Sequence, residues 1–170
     1  KGDVKSNKTG LDFGIGYKFN ELSHTIKYNF STSESTTAST STAASETGEE
    51  GKEITTSSIT YTLFQDTRDN FFNPSSGYRW KFDNTLAGIG GDAKFYKSVL
   101  NIKSFYPINY GDYIFGLRSG LGFITAIDEK ITSSNRFLLG GKTLRGFDNL
   151  GVGPRDTGNN QSVGGNNFYN

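Results

Sequence analysis

The feature that most constrains this chain is an alternation of apolar and polar residues that recurs in segment after segment. In residues 11–19 the odd positions are Leu, Phe, Ile, Tyr and Phe, and the even positions are Asp, Gly, Gly and Lys. Because successive side chains of a β-strand point to opposite faces, this pattern predicts a strand with one apolar and one polar face. The alternation returns in 22–31, 54–66, 78–87, 95–106 and 113–125. The sequence therefore predicts an all-β, antiparallel fold with about six strands.

The connections between these segments alternate in length. Tight turns are predicted at 20–21 and 107–112, with Pro107 ending the strand before it because proline cannot donate to the ladder. Longer or Gly-rich loops are predicted at 88–94 and 126–163, and the connection at 67–77 is intermediate. Strands of about ten residues can cross a bilayer when tilted, and short turns on one side with long loops on the other are typical of outer-membrane barrels.

A Ser/Thr-rich tract separates the second and third predicted strands. Between residues 31 and 47, 12 of 17 residues are Ser or Thr. Such a tract has little to bury and much to hydrate, so residues 34–52 are predicted to be a flexible external loop.

Composition separates the possible kinds of membrane or soluble protein only in part. The chain has no run of 18 apolar residues, which excludes a transmembrane helix. Its 22 Gly and 14 Phe with only 33% hydrophobic residues fit strands that are apolar on one face, in an outer-membrane barrel or in a soluble β-sandwich. The polar faces alternate Gly with Lys, Arg, Asp and Asn, which favours a wet barrel lumen. A lipocalin-like barrel would instead carry apolar residues inside.

Several function classes have no support in the sequence. A net charge of +1 with scattered basic residues gives no footprint for nucleic acid. With no Cys and one His, His24, the chain offers no Cys-based or His-rich metal site, and no cofactor is predicted. His24 is predicted to lie on the apolar face, and the carboxylates show no acid–base spacing. An enzyme is therefore not predicted.

A Gly-rich segment at 138–155 contains the tripeptide Arg145-Gly146-Phe147. Supporting residues flank it: Gly140 and Gly141 before it, and Gly153, Pro154 and Arg155 after it. The segment resembles the sixth extracellular loop of the outer-membrane protein insertases, the superfamily of bacterial BamA and its mitochondrial and chloroplast relatives. The resemblance implies that 126–163 is a plug loop whose Arg-Gly-Phe tip folds back into the lumen of a transmembrane β-barrel.

A second motif, between the third and fourth predicted strands, resembles the Asp-x-Arg-x-x-x-x-x-Pro-x-x-Gly turn of the same family. Its four positions are Asp66, Arg68, Pro74 and Gly77. Proline fixes φ at the second position of a turn and glycine permits a positive φ, so the motif predicts a connector with no direct function.

The resemblance also implies a partner for Arg145, because a guanidinium in a partly desolvated lumen needs an acceptor. In the family this acceptor is an acidic residue on a later strand, which is expected beyond Asn170. Asp12 and Asp83, both on predicted polar faces, are the alternatives within this chain. Residues 1–170 are accordingly expected to be a piece of one barrel domain, without its POTRA domains and remaining strands.

For function, the resemblance implies assembly of outer-membrane proteins in bacteria: the protein inserts nascent β-barrel proteins as the core of an insertase complex. Its expected partners are those nascent proteins, accessory assembly lipoproteins and outer-membrane lipid. Two alternatives stay open. One is a protein-conducting pore of the two-partner secretion type from the same superfamily, and the other is a passive porin.

Overall fold

The computed structural model describes residues 4–37, 53–128, 131, 135–141, 143–149, 151–155, 157, 160 and 162–170. The described chain forms one sheet of seven strands, in which each strand pairs antiparallel with its neighbour in sequence. The strands are β1 (Val4–Phe19), β2 (Leu22–Thr37), β3 (Glu53–Asp66), β4 (Gly77–Ala87), β5 (Phe95–Ile108), β6 (Tyr113–Ala126) and β7 (Asn167–Tyr169). A short 3-10 helix, Asn109–Gly111, lies in the β5–β6 turn. None of the described helices is long and apolar enough to cross a membrane.

The register of the sheet brings the apolar sides of the strands together. Leu11 pairs with Phe30 and Phe13 with Tyr28 across β1 and β2, and register partners lie on the same face. This face, called here the apolar face, holds the odd residues of 11–19, 57–65 and 113–125 and the even residues of 22–30, 78–86 and 96–108. The intervening residues form the polar face. The predicted all-β, antiparallel, two-faced sheet is confirmed.

Each of the strands β1 to β6 exposes apolar side chains on the apolar face. Leu11 is 78% exposed and Tyr113 is 68% exposed, at opposite sides of the sheet. An apolar surface of this extent is unfavourable in water, but it is the expected outer surface of a barrel that lipid surrounds.

Polar side chains within the apolar face are hydrogen-bonded to one another. His24 lies on this face as predicted, stacked on Tyr17 with ring centroids 4.6 Å apart, and its Nδ1 is 2.8 Å from the Tyr61 hydroxyl. Tyr96 donates its hydroxyl to Asn84 Oδ1 at 2.7 Å. Trp80 donates its indole N–H to Gln65 Oε1 at 3.0 Å, and the hydroxyls of Tyr28 and Ser57 are 2.9 Å apart. These contacts satisfy groups that would be costly to leave unpaired in hydrocarbon.

The small buried core lies at one end of the polar face. Its residues are Ala87, Ala93, Phe95, Ile124 and Ile131, with Ile54 and Phe137 packed against them. Ala87, Phe95 and Ile124 come from strands, whereas Ala93, Ile131 and Phe137 come from loops. The core therefore joins the loops at this end of the sheet to its polar face.

The predicted start of the Ser/Thr-rich loop at residue 34 is wrong. β2 continues to Thr37 and pairs with β1 as far as Val4. The backbone hydrogen bonds between two strands do not depend on the type of side chain, and Thr has a high propensity for strands. The hydrophilic residues 34–37 can therefore extend the β1–β2 hairpin. Residues 38–52 of the predicted loop lie outside the described residues.

The predicted strand end at Pro107 is also wrong, since β5 continues to Ile108 and Pro107 pairs with Ile114. β4 pairs with β5 only as far as Phe105. Beyond that residue β5 has only β6 beside it, so an edge-like position tolerates a residue that lacks an N–H.

Candidate functional site: a loop against the polar face

The connection between β6 and β7 packs on the polar face of the sheet. The Phe137 ring lies 4.7 Å from the Phe168 ring of β7, and the two are steeply tilted against each other. From β5, the Lys97 ammonium lies 4.5 Å above the Phe137 ring and donates a hydrogen bond to the Asn135 carbonyl. Phe137 and Gly165 exchange two backbone hydrogen bonds of 2.9 Å. Both ends of the loop are thereby fixed to the same wall.

Further along, the loop reaches the middle of β6. Asn170 exchanges two backbone hydrogen bonds with Gly120, the eighth of the 14 residues of β6. The Asn170 side chain lies on the polar side of Gly120 and donates to the Thr143 carbonyl at 3.2 Å. Thr143 therefore lies over the polar face about halfway down the strand, two residues before Arg145.

The tripeptide Arg145-Gly146-Phe147 forms the tip of a compact turn. Gly146 has a φ of 91°, and the Gly141 N–H donates to the Phe147 carbonyl at 3.1 Å. Arg145 is exposed and Phe147 is 56% exposed. Within the described part of the chain Arg145 makes no ion pair.

The two alternative acidic partners of Arg145 are engaged elsewhere. Asp12 accepts a hydrogen bond of 2.6 Å from Asn29. Asp83 accepts one of 2.6 Å from Thr62 and pairs with Lys81 at 2.8 Å. The structure does not bring either carboxylate to Arg145, so an acceptor on a later strand stays a prediction.

The supporting loop residues form short irregular bridges behind the tip. Leu139 bridges Val152, and Arg155 bridges Ser162. Arg155 also donates to the carbonyls of Gly151 at 2.8 Å and Asn160 at 2.9 Å, which satisfies its guanidinium within the loop. The flanking Gly140, Gly141 and Gly153 have φ of 127°, 58° and 134°, and Pro154 accepts a hydrogen bond from the Val163 N–H at 3.0 Å.

The turn between β3 and β4 is built on a bidentate ion pair. Arg68 donates from Nε and Nη2 to the two carboxylate oxygens of Asp66 at 2.8 and 2.7 Å, which raises the pKa of Arg68. Gly77 has a φ of 95°, and a Cβ there would lie 2.5 Å from the Thr67 carbonyl oxygen. Only glycine fits that position. Pro74 lies within the same turn.

Sequence reasoning missed Asp69 in the same turn. Its carboxylate accepts the backbone N–H groups of Asn70, Ser75 and Ser76 and a hydrogen bond from the Ser75 hydroxyl. Hydrogen bonds from Ser75, then from Ser76, lower the pKa of Asp69 to about 2. The signal that could have found it is an Asx-type turn, in which an Asp precedes Pro and Ser.

The lowered pKa predicts how this turn responds to acid. The carboxylate form holds the turn, so its stabilisation is complete above the ordinary Asp pKa of about 3.9 and is lost as the pH falls towards 2. We expect protection of the Ser75 and Ser76 amides from hydrogen exchange, corrected for intrinsic rates, to fall between about pH 4 and pH 2. Asp69→Ala removes the acceptor oxygens and should lose that protection at every pH. Protection in Asp69→Ala equal to that of the wild type would contradict this assignment.

The sheet and loop together define a class of protein. The sheet has an exposed apolar face outside and a polar face inside, and a long loop packs against the inside, as in the wall of an outer-membrane β-barrel with an inward-folded loop. Residues 2–170 match the Omp85 superfamily domain. The chain belongs to the Omp85 superfamily.

Comparisons with individual proteins agree with this family. The chain is 39% identical over 113 residues, 66% of its length, to the outer membrane protein assembly factor BamA of Neorickettsia risticii. It is 27% identical over 158 residues to the sorting and assembly machinery component 50 homolog of Mus musculus, covering 91% of this chain. The chain spans only 15% and 33% of those two relatives.

A solved structure shows the same fold. The crystal structure of BamA from Haemophilus ducreyi lacking POTRA domains 1–3 superposes with a TM-score of 0.83 at 15% sequence identity. The match covers 98% of this chain and 36% of that one. The polar face of the sheet is therefore the lumen wall of a partial barrel.

Proposed function

We propose that this chain is part of a protein that assembles outer-membrane proteins, by folding and inserting nascent β-barrel proteins as the core of an insertase complex. The observation that carries the proposal is the placement of the loop: Thr143, two residues before Arg145, is held over the lumen wall at mid-strand. A loop seated inside the barrel leaves the outer surface to lipid and substrate. BamA and the component 50 homologs, whose names refer to assembly, support the same function.

In this proposal, assembly depends on where the strands lie and on the surfaces that bind substrate and lipid, and it requires no catalytic group and no cofactor. A nascent strand adds to a weakly paired strand edge of the full-length barrel by main-chain hydrogen bonds, and local thinning of the bilayer lowers the barrier to insertion. The partners in this proposal are the nascent β-barrel proteins, accessory assembly lipoproteins and outer-membrane lipid. Similarity to a bacterial BamA supports a bacterial outer membrane as the compartment in this proposal.

Depletion of the full-length protein from its cells tests the proposal. We expect several unrelated β-barrel proteins to lose their heat-modifiable folded form together, because one insertase serves them all. A soluble periplasmic protein is the control and should keep its level.

The other outcomes identify the alternatives. Loss of a single exported protein, with normal assembly of the rest, would overturn the proposal in favour of a two-partner secretion pore. Loss of small-solute permeability alone would indicate a passive porin.

A further inference from the structure

Three cationic side chains lie side by side on the lumen wall. Arg79 of β4 pairs in register with Lys103 of β5, and Lys103 pairs in register with Arg118 of β6. Adjacent strands are about 4.8 Å apart, so the three residues, called here the cationic row, span about 10 Å across the strands. Lys81 lies two residues along from Arg79 on the same face.

No ion pair joins the cationic row to a carboxylate in the described part of the chain, although Asp66 of β3 lies opposite Arg79 in register and pairs with Arg68. The ion pairs there join Lys27 to Asp12, Arg68 to Asp66, Lys81 to Asp83 and Lys94 to Asp128. Arg79 instead lies over the Phe64 ring, 5.1 Å from its centroid. Like charges directly opposite each other destabilise a sheet, so the row opposes the stability of the barrel that carries it.

For Lys103, at the centre of the row, a counter-charge has to come from the lumen. β5 already has β4 on one side and β6 on the other, so no further strand can be inserted beside Lys103. A cavity of about 190 Å³ opens over the row, lined on the polar face by Arg79, Lys81, Asn101, Lys103 and Arg118. Arg118 is exposed into it, and Asn101 adds a neutral hydrogen-bonding side chain.

We propose that the cationic row binds acidic side chains of a polypeptide segment that lies in the barrel lumen. Charge complementarity selects carboxylates, which Arg binds in a bidentate manner and Lys binds as a point charge. An extended segment lying across the three strands places alternate side chains about 6.7 Å apart, within reach of these long side chains.

The placement of the row favours a polypeptide over a membrane lipid. The row lies on the face opposite to the exposed Tyr106 of β5 and Leu121 of β6, so the sheet itself separates it from the lipid around the barrel. It also lies towards the end of the lumen that carries the turn at 67–77 and the turn that contains Asn109–Gly111. A segment that enters the barrel from that side meets the row first.

Peptide binding to the full-length protein in nanodiscs tests this inference. The probe is a short fluorescent peptide in which Glu alternates with Ser, and its matched control has Gln in place of Glu. Fluorescence anisotropy at low salt should show binding of the Glu peptide that weakens as salt is added, because partly exposed charges are screened. The Gln peptide should not bind.

Substitutions in the cationic row test whether the row is the site at which the peptide binds. Combining Arg79→Gln, Lys103→Gln and Arg118→Gln should weaken binding about tenfold or more, whereas Lys27→Gln, on the same face in β2 and paired with Asp12, should leave it within about twofold. The triple variant should still fold, as its heat-modifiability would show, because loss of like-charge repulsion offsets loss of the Arg79 contact with the Phe64 ring. Arg118→Gln alone, at an exposed residue, gives a second variant that keeps the fold and should weaken binding in the same direction.

Three results would overturn the inference. They are equal binding to the wild type and to the folded row variants, equal binding of the Glu and Gln peptides, and complete displacement of the peptide by inorganic phosphate at matched concentration. The last would make the row a general oxyanion site. The assay does not depend on assembly activity, so its failure leaves the proposed function standing.

Discussion

Replacing Arg145 by Ala in the full-length protein is expected to lower the assembly of several β-barrel proteins together, by about tenfold or more. Arg145 is exposed at the tip of a loop that reaches mid-strand on the lumen wall, where an acidic residue of a later strand is the predicted acceptor of its guanidinium. A hydrogen bond to a charged group contributes about 1.5–3 kcal/mol, which is a factor of about ten or more in the population of the anchored loop. The measurement is the heat-modifiable fraction of the client proteins after depletion of the wild type.

Two controls separate this effect from loss of the protein itself. The level and heat-modifiability of the Arg145→Ala protein should match those of the wild type. Lys94→Gln removes another cation, one that pairs with Asp128 across exposed loops at 2.7 Å, and surface pairs of this kind are worth little. It should leave assembly unchanged. Normal assembly in Arg145→Ala would show that the tip is not needed.

Replacing Gly122 by Ala is expected to detach β7 and the loop from the lumen wall. A Cβ at Gly122 would overlap the Phe168 ring and lie 3.0 Å from Phe137 Cζ. Both rings would have to move, and overpacking of this kind costs about 1–3 kcal/mol. We expect a lower free energy of unfolding in a urea titration of the full-length barrel, and faster protease cleavage within residues 126–163.

Gly116 offers a matched control on the same face of the same strand. A Cβ there would meet only the Phe105 ring, at 3.5 Å, which is ordinary van der Waals contact. Gly116→Ala should therefore unfold at the same urea concentration as the wild type. If Gly122→Ala behaves like Gly116→Ala, the loop does not pack on the wall as described.

The alternation of residues predicted the sheet because it is a local property of each strand. The apolar and polar faces, the order of strands and the turn that contains Gly77 all follow from patterns a few residues long. Residues 34–37 were not predicted as strand, since ladder pairing with β1 overrides a hydrophilic composition. Pairing with β1, and not the local sequence, makes these four residues a strand.

The site could be predicted only in part for a similar reason. Resemblance predicted the residues of the loop tip, yet the contacts that hold the loop, from Asn170 to Thr143 and from Lys97 to Phe137, join residues far apart in sequence. The cationic row depends on register: Arg79, Lys103 and Arg118 are ordinary polar-face residues one strand at a time and become neighbours only when the strands pair.

The separation between β6 and β7 has a consequence for the order in which this wall forms. β1 to β6 pair with their sequence neighbours, and two of the five connections among them are the short turns at 20–21 and 109–112, whereas β7 returns only after residues 127–166. Closing a longer loop costs more chain entropy, and non-local pairing slows folding. β7 should therefore join the sheet last. Phe168 of β7 packs on Phe137 of the loop between β6 and β7. For this reason β7 can dock firmly on the sheet only after that loop has entered the lumen.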